Sequence, residues 1–285
     1  MKTVTLSSGQ AMPILGMGTW RMGENRRDFA DEVATLRHGL SLGISLIDTA
    51  EMYGEGGAEE VVAEAIAGNR SNVFLVSKVY PHNASKKGVM AACDRSLSRL
   101  NTDYIDLYLL HWRGSVPLSE TLEAFDALKQ AGKIRDYGVS NFVVEDMEEA
   151  VQLPGGGAIA TNQILYNLSR RGVEHDLLPW CRQRNMPVMA YSPIEQGRLL
   201  GNKVLEKIGR EQGVSGAQIA ILRRRGYAIA WLLHQEGIIV IPKSSRIEHV
   251  EQNYAALEIR LTQAELDKLD EAFPVPARPI PLQML

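Results

Sequence analysis

The chain has 285 residues, of which 45% are hydrophobic and 23% are charged. This ordinary globular composition excludes a disordered protein, and a chain of this length buries a sizeable core. The 31 basic and 34 acidic residues nearly balance, which argues against a nucleic-acid-binding protein because such proteins carry a basic footprint.

The number of cysteines and the pattern of apolar residues indicate the cellular compartment of the protein. The two cysteines, Cys93 and Cys181, are too few for a disulfide scaffold and fit a reducing compartment. No run of residues approaches the roughly 18 apolar residues that a membrane span needs. The N-terminal segment Met1–Leu6 lacks the apolar centre of a signal peptide. We therefore expect a cytoplasmic protein that binds neither membranes nor nucleic acid.

Short apolar segments recur along the chain and predict buried strands. Several are almost continuous in Val, Ile and Leu, which is typical of strands that are covered on both faces. A polar turn inside Val4–Ile14 predicts a β-hairpin ahead of them. The predicted strands are Pro13–Trp20, Ile44–Asp48, Val73–Val79, Ile105–His111, Ile134–Ser140, Ile159–Gln163, Pro187–Ser192 and Ile238–Lys243.

Segments with an apolar period near 3.6 lie between these strands, and Asp31–Leu42 and Leu118–Gln130 are clear examples. The alternation predicts a (β/α)8 TIM barrel, formed by residues 1–285 as one domain, with an N-terminal β-hairpin and a proline-rich C-terminal tail. A doubly wound sheet is the competing fold. It would need a third glycine in its phosphate-binding turn, where Gly16–Arg21 ends in arginine.

The polar residues at the strand ends suggest a functional rim, because chemistry in such a barrel collects at the carboxyl-terminal ends of the strands. Asp48, Lys78 and His111 end three successive strands, and Tyr53 follows Asp48 closely. Each residue alone has a structural explanation, as a helix cap, a solvated strand end, a buried histidine or loop packing. Their joint placement favours a catalytic site. No metal is expected, because His111 lacks the neighbouring ligands that a metal site needs.

Three segments resemble signatures of the aldo-keto reductases, namely Gly43–Gly54, Gly132–Phe142 and Ile241–Ser244. Two stretches, Asp48–Tyr53 and Asp106–Trp112, are similar to small bacterial members described as methylglyoxal reductases. The resemblance implies a (β/α)8 barrel that reduces a small carbonyl substrate by hydride transfer from NADPH. It also implies a monomer by default.

The resemblance places the family's catalytic group on Asp48, Tyr53, Lys78 and His111. Hydride attack builds negative charge on the carbonyl oxygen, and Tyr53 would donate the proton that neutralises it. Lys78 would lower the phenol's pKa from about 10, and Asp48 would keep Lys78 charged. Neutral His111 would orient the carbonyl oxygen.

The resemblance also distributes the cofactor along the rim. Ser140, Asn141 and Gln163 suit the nicotinamide carboxamide, which donates and accepts hydrogen bonds, and Tyr191 suits stacking on the nicotinamide ring. The other residues implied to contact the cofactor are Thr19, Trp20, Ser192, Lys243, Ser244, Arg246, His249, Gln252 and Asn253.

Aromatic residues and the tail are expected to shape the substrate pocket. Trp20, Tyr80 and Trp112 would ring the carbonyl site and help to exclude water. The segment Arg113–Glu120 is short, so we expect an open and permissive pocket. The proline-rich tail Phe273–Pro281 cannot be helical. It either folds over the rim or is a disordered end.

The sequence departs from the family at His249, where members that prefer NADPH usually have an arginine. A histidine is mostly neutral at pH 7, so we expect use of NADPH with some tolerance of NADH.

A second departure is an extra stretch of about eight residues, roughly Ile221–Ala228. In a continuous helix it would turn the following face by about 80°, and Arg223–Arg225 suit no buried face. We predict a break near Gly226, with the insert bulging to the surface or forming an extra helical turn. An effect on the adenosine end of the cofactor site is the alternative.

The leading function is a reductase of small aldehydes or ketones, with methylglyoxal-like dicarbonyls favoured. Two other functions stay open, a diketo sugar acid reductase and a nucleotide-binding regulatory subunit with little turnover. The complete set of four catalytic-type residues argues against the regulatory alternative.

Overall fold

Parallel strands form the centre of the fold. A computed structural model describes residues 1–211 and 217–285 of the chain, with the side chains of residues 1–207 and 225–285. Within this part, eight parallel strands follow one another in chain order around one sheet. They are β3 Gly16–Gly18, β4 Leu46–Asp48, β5 Phe74–Val79, β6 Ile105–Leu110, β7 Ile134–Ser140, β8 Ile159–Leu165, β9 Val188–Tyr191 and β10 Ile238–Val240.

The first and last strands of this sheet meet, which closes it into a barrel. Parallel bridges join Leu15 to Val240 and Gly18 to Lys243. A Cβ atom on Gly18 would lie 2.9 Å from the carbonyl oxygen of Ile241, so this close approach requires glycine. The predicted (β/α)8 barrel is confirmed.

Helices connect the strands and cover the outside of the barrel. Ser85 caps α3, since its hydroxyl accepts a hydrogen bond from the backbone N–H of Gly88 at 3.1 Å. Thr262 and Glu265 form a capping box at the start of α10. The helices are α1 Phe29–Ser41, α2 Gly57–Ile66, α3 Lys86–Leu100, α4 Leu118–Gln130, α5 Val144–Gln152, α6 Leu177–Gln183, α7 Lys203–Glu211, α8 Ala217–His234, α9 Ile247–Ala255 and α10 Gln263–Ala272.

None of the helices in the described part of the chain has the length and apolar character that a membrane span requires.

The predicted N-terminal hairpin is also confirmed. Its strands, β1 Thr3–Thr5 and β2 Ala11–Pro13, pair antiparallel. Leu6 and Met12 are buried in the same apolar cluster as inward-facing barrel residues such as Leu107. The hairpin therefore fills one end of the barrel, which leaves the other end for a site.

Polar contacts hold the hairpin to the barrel. The hydroxyl of Ser8 donates to Oδ2 of Asp136 at 2.5 Å, and the side-chain amide of Gln10 donates to Oδ1 of Asp106 at 3.4 Å. The other oxygen of Asp106 accepts from Arg70 at 2.7 Å. Both aspartates lie near the amino-terminal ends of their strands, which identifies this end as the closed one.

Helix α8 corrects one prediction. It runs unbroken from Ala217 to His234, so the predicted break near Gly226 is wrong and the extra stretch is part of the helix. The rotation of the following face carries no penalty because every residue of the segment 225–232 is buried. A helix buried on all sides has no solvent face to misplace.

The same helix corrects the expected exposure of its arginines. Arg225 is only 5% exposed, so the prediction that it faces solvent is wrong. The side chains of Arg223 and Arg224 lie outside the described residues. The reason for the burial of Arg225 is found in the cavity that it lines, described below.

The C-terminal tail folds back along the barrel. The guanidinium of Arg171 donates to the carbonyl oxygen of Phe273 at 2.7 Å, and Nε2 of His175 lies 2.6 Å from the carbonyl oxygen of Pro276. Residues after α10 form no helix, as their prolines predict. Of the two possibilities for the tail, the structure has the one in which it folds over the rim, where Met284 and Leu285 line the cavity described below.

Replacing Gly226 with proline tests the continuity of α8. In an unbroken helix, proline removes a backbone hydrogen bond and clashes with the preceding turn, so we expect Gly226→Pro to lower the free energy of unfolding by about 3 kcal/mol or more. Urea denaturation followed by circular dichroism measures this change.

Gly226→Ala is the matched control for this substitution. Its Cβ would lie 2.7 Å from Cδ1 of Ile259, the end of a flexible side chain, so we expect a much smaller change. Equal stability of the two variants would contradict a continuous helix.

Candidate active site

A cavity of about 440 Å³ opens at the carboxyl-terminal ends of the strands, at the end of the barrel that the hairpin leaves open. The structure brings most of the predicted site residues to its wall. They are Trp20, Asp48, Tyr53, His111, Trp112, Ser140, Asn141, Gln163, Tyr191, Ser192, Lys243, Ser244 and His249.

Six of the predicted residues are not in the cavity wall. Lys78 lies buried behind it, and Thr19 donates from its hydroxyl to the backbone carbonyl of Asp48 at 3.0 Å. Asn253 supports Ser244 with a hydrogen bond of 3.2 Å. The remaining three are Tyr80, which contacts the ring of Trp112, the exposed Arg246 and the half-buried Gln252.

The centre of the cavity floor is a buried ion pair. The side chain of Lys78 is fully buried, and its Nζ donates to Oδ2 of Asp48 at 2.8 Å and to the carbonyl oxygen of Thr49 at 2.8 Å. The same Nζ also donates to the phenol oxygen of Tyr53 at 3.3 Å. An ammonium has three donors, so Lys78 uses all of them on the protein and is held in one position.

The loop after β4 positions Tyr53 in the cavity wall. Tyr53 begins a short 3₁₀ turn in which Gly54 has φ 56°. A Cβ atom at Gly54 would lie 2.9 Å from the carbonyl oxygen of Met22. Both the positive φ and this close approach favour glycine, which explains the Tyr-Gly pair in the sequence.

The direction of the Tyr53 pKa corrects one expectation. Burial raises the pKa of Tyr53 well above 10.0, and the negative charge of Asp48 adds to this effect. Burial also lowers the pKa of Lys78, against the opposing effect of Asp48. The expected lowering of the phenol's pKa by Lys78 is therefore not found, because burial and the Asp48 carboxylate both favour the neutral phenol. The phenol keeps its proton at neutral pH.

His111 is neutral, as the sequence predicts. Burial lowers its pKa well below 6.5, and the positive charge of Lys78 lowers it further. Its ring centroid lies 5.6 Å from that of Tyr53. A neutral imidazole beside the phenol can hydrogen-bond an uncharged oxygen without competing for its proton.

Amide and hydroxyl side chains form one connected group on the neighbouring strands. Gln163 donates from Nε2 to Oδ1 of Asp48 at 2.7 Å, so its Oε1 is directed away from that carboxylate. The phenol of Tyr191 donates to Oδ1 of Asn141 at 2.9 Å, and the hydroxyl of Ser140 donates to the backbone carbonyl of Gln163 at 2.8 Å. Together they present amide groups beside an aromatic ring.

Positive charge collects at the other part of the cavity wall. Lys243, Arg225 and His249 line it together with Ser244 and Ser245. Burial lowers the pKa of Lys243, while Glu32 partly opposes this effect. This part of the wall suits phosphate groups, because cations and hydroxyls are the side chains that bind them.

The two regions together fit a nicotinamide dinucleotide. Amides and an aromatic face suit the nicotinamide at one region, and cations with hydroxyls suit the phosphates at the other. Among the residues that the structure describes, no group of three or more His, Cys, Asp and Glu could hold a metal ion.

Several residues that line the cavity were not predicted from the sequence. Arg21 and Met52 lie in loops, and Met284 and Leu285 come from the tail. The segment 193–197 also lines the cavity in part, through a turn in which Gln196 has φ 53°. Strand ends were the sequence signal, so residues carried by loops and by α8 gave none.

Both cysteines lie away from this cavity in helices. Cys93 in α3 and Cys181 in α6 are buried and free. Burial raises the pKa of each thiol to about 12. A thiol with this pKa is poorly reactive, since the thiolate is the nucleophile.

A closed parallel barrel has an ion-paired lysine beside a phenol and a cavity whose wall residues suit a dinucleotide. These features define a class of barrel oxidoreductase. Comparison with known proteins then specifies the family. The profile of the Aldo/keto reductase family matches residues 14–273, and the chain belongs to this family.

Known relatives cover the whole chain. Methylglyoxal reductase YeaE of Escherichia coli K12 is 51% identical over 289 residues, which is 100% of this chain and 99% of the relative. Glyoxal reductase of Bacillus subtilis is 34% identical, covering 94% of this chain and 91% of its own. The crystal structure of an aldo-keto reductase from Klebsiella pneumoniae in complex with NADPH superposes with a TM-score of 0.93 at 48% identity, covering 100% and 99% of the two chains.

The neutral state of His111 predicts the acid limb of the pH profile. The pKa of His111 lies below 6.5, so the neutral form is present above that pKa and is lost only as the pH falls through it. We expect kcat/KM for carbonyl reduction to stay constant from about pH 8 down to pH 6.5 and to fall only in more acidic solution.

Profiles of the wild type and of His111→Gln measure this limb. We expect the acidic fall in kcat/KM seen in the wild type to be absent in His111→Gln, because glutamine has no imidazole to protonate. A limb centred above pH 6.5 that disappears in His111→Gln would contradict a depressed pKa.

Proposed function

We propose that the chain is an NADPH-dependent reductase of small aldehydes and ketones, with α-dicarbonyls such as methylglyoxal as favoured substrates. NADPH is the cofactor. The observation that carries the proposal is the Tyr53 phenol in the cavity wall, hydrogen-bonded to a buried, ion-paired lysine at 3.3 Å. The names of the two relatives and the bound NADPH of the structural neighbour support it.

The hydrogen bond from Lys78 explains how Tyr53 can donate its proton. NADPH supplies the hydride when it is bound. Nζ of Lys78 donates to the phenol oxygen of Tyr53, so the phenol proton is free to point to a carbonyl oxygen in the cavity. As that proton leaves, the phenolate forms beside the ammonium, which stabilises it.

The other groups of the floor prepare this proton transfer. Asp48 holds Lys78 in its charged form, since an unpaired buried ammonium would be costly. Neutral His111 supplies a hydrogen bond that orients the carbonyl oxygen toward the phenol. Because the phenol's pKa is raised, Tyr53 carries its proton before the substrate arrives.

The walls of the cavity favour small carbonyl compounds. Trp20 and Trp112 are part of the wall, and the ring centroid of Trp112 lies 4.9 Å from that of His111. Aromatic walls contact an apolar methyl group and limit water near the reacting oxygen. The reductases of methylglyoxal and glyoxal among the relatives support the dicarbonyl substrate.

We also propose a small carbonyl substrate and a monomeric enzyme, the monomer being what the family resemblance implies by default. The two buried free thiols support a cytoplasmic location. The presence of a complete proton-donating group favours turnover over a purely regulatory role. The names of the methylglyoxal and glyoxal reductases among the relatives favour a dicarbonyl substrate over a diketo sugar acid.

Tyr53→Phe tests the proposed proton donor. The variant lacks the hydroxyl, and a general acid contributes about 10²- to 10⁴-fold to the rate. We expect kcat for methylglyoxal reduction, measured by the loss of NADPH absorbance, to fall by that factor. The Kd of NADPH, measured by fluorescence titration, should change little because the phenol lies at the carbonyl side.

Tyr104→Phe is the matched control, because Tyr104 packs between two arginines away from the cavity. We expect full activity for it. Normal turnover in Tyr53→Phe would reject Tyr53 as the donor, and no turnover of any aldehyde by the wild type would reject the proposed function.

A further inference from the structure

Arg225 is buried, and none of the residues that the structure describes compensates its charge. Its side chain is 5% exposed and lines the cavity beside Lys243, Ser244 and His249. Its Nε is buried and has no hydrogen-bond partner among the residues that the structure describes. Within the same residues, no carboxylate lies within ion-pair distance of it.

A second buried arginine, Arg171, has its charge compensated by carboxylates. Arg171 is 7% exposed and pairs with Glu174 and Asp270 at 2.7 Å each, which raises its pKa. Arg225 is buried to the same degree, and burial alone lowers its pKa to about 10. A buried cation without a partner is costly, so its position points to an anion that the described residues do not provide.

The neighbours of Arg225 add to the positive charge instead of offsetting it. Arg225, Arg246 and Lys243 all lower the pKa of His249, together with burial and against Glu248. His249 is therefore mostly uncharged at neutral pH. The acidic groups near Lys243 are Glu32 and Glu24. The lasting positive charge beside His249 comes from Arg225, Lys243 and Arg246, and Arg21 adds to it near Lys243.

We infer that Arg225 binds the 2′-phosphate of NADPH and sets the preference for NADPH over NADH. This inference rests on the proposed placement of the cofactor in this cavity. The two cofactors differ only in this phosphate, and a guanidinium close to the ribose is the group that accommodates it. Ser244 and Lys243 lie beside Arg225 and can contact the same phosphate.

The position of Arg225 in α8 gives the extra helical stretch a role. The chain carries a histidine at 249, and a neutral imidazole attracts a dianion weakly. The unbroken helix brings a permanently charged guanidinium from a different element to the same part of the wall. The predicted alternative, in which the stretch acts on the adenosine end of the cofactor, is the one that this inference develops.

Arg225→Met separates this role from packing, since it keeps a long apolar side chain and removes the charge. Isothermal titration calorimetry with NADPH and NADH gives the Kd of each without turnover. We expect the Kd of NADPH to rise about 10- to 100-fold, as for a lost hydrogen-bonded charge pair. The Kd of NADH, which carries the pyrophosphate but no 2′-phosphate, should stay within about threefold.

Three further arms sharpen the test. Arg225→Lys should recover part of the affinity for NADPH, because it restores the charge without the bidentate geometry. Adenosine 2′,5′-bisphosphate should lose affinity for Arg225→Met, and adenosine 5′-monophosphate should not. Arg260→Met, an exposed arginine outside the cavity, controls for the substitution itself and should leave both Kd values unchanged.

Thermal unfolding separates the two roles, because the substitution should affect the ligand-free Tm and the Tm increase caused by NADPH in opposite directions. Removing an uncompensated buried cation should leave the Tm of the ligand-free Arg225→Met variant equal to or above that of the wild type. The Tm increase on adding NADPH should shrink, because weaker binding stabilises less. A lower ligand-free Tm would instead show that Arg225 is paired within the folded protein, which would overturn the inference.

Two other results would overturn it while leaving the proposed function intact. Equal losses of affinity for NADPH and NADH would show that Arg225 shapes the cavity but does not bind the 2′-phosphate. Unchanged affinity for both would show that it does not contact the cofactor. Failure of the wild type to bind NADPH would instead reject the proposed function, so the two failures are distinguishable.

Discussion

The buried ion pair between Lys78 and Asp48 is the interaction on which the site depends. A fully buried ammonium would be costly if it were left alone, and here each of its donors has a partner on the protein. The second oxygen of Asp48 accepts from Gln163. One carboxylate therefore connects the proton-donating phenol on one side with the amide group on the other, across strands β4, β5 and β8.

The protein treats charge differently in the two regions of the cavity. At the floor, Lys78 is compensated within the protein, so its position is set before any ligand arrives. In the outer wall, Arg225 lacks a carboxylate partner among the described residues, and a ligand phosphate can supply the compensation. The first arrangement serves chemistry, which requires fixed geometry. The second serves recognition, because it makes binding depend on the charge of the ligand.

Much of the barrel could be predicted because its signals are local. Strands buried on both faces are continuous in apolar residues, and parallel strands end at one rim, so Asp48, Lys78 and His111 could be placed together from spacing alone. These features need only the period of the sequence and the geometry of a parallel sheet.

The features that could not be predicted depend on the balance of burial and charge in three dimensions. The pKa of Tyr53 rises because burial and the Asp48 carboxylate both favour the neutral phenol, and the depth of burial cannot be obtained from spacing. The arginine-rich stretch of α8 suggested exposure, whereas Arg225 is buried against the cavity. A guanidinium whose charge is compensated by a ligand phosphate leaves no pattern of paired charges in the sequence.

The burial of both cysteines has a practical consequence. Cys93 and Cys181 are inaccessible in the folded chain, with thiol pKa values raised to about 12. Reagents that alkylate thiols need an accessible thiolate, so they should leave the native protein unmarked. A single cysteine introduced on the surface would then carry a fluorophore at one chosen position, with both native thiols left in place.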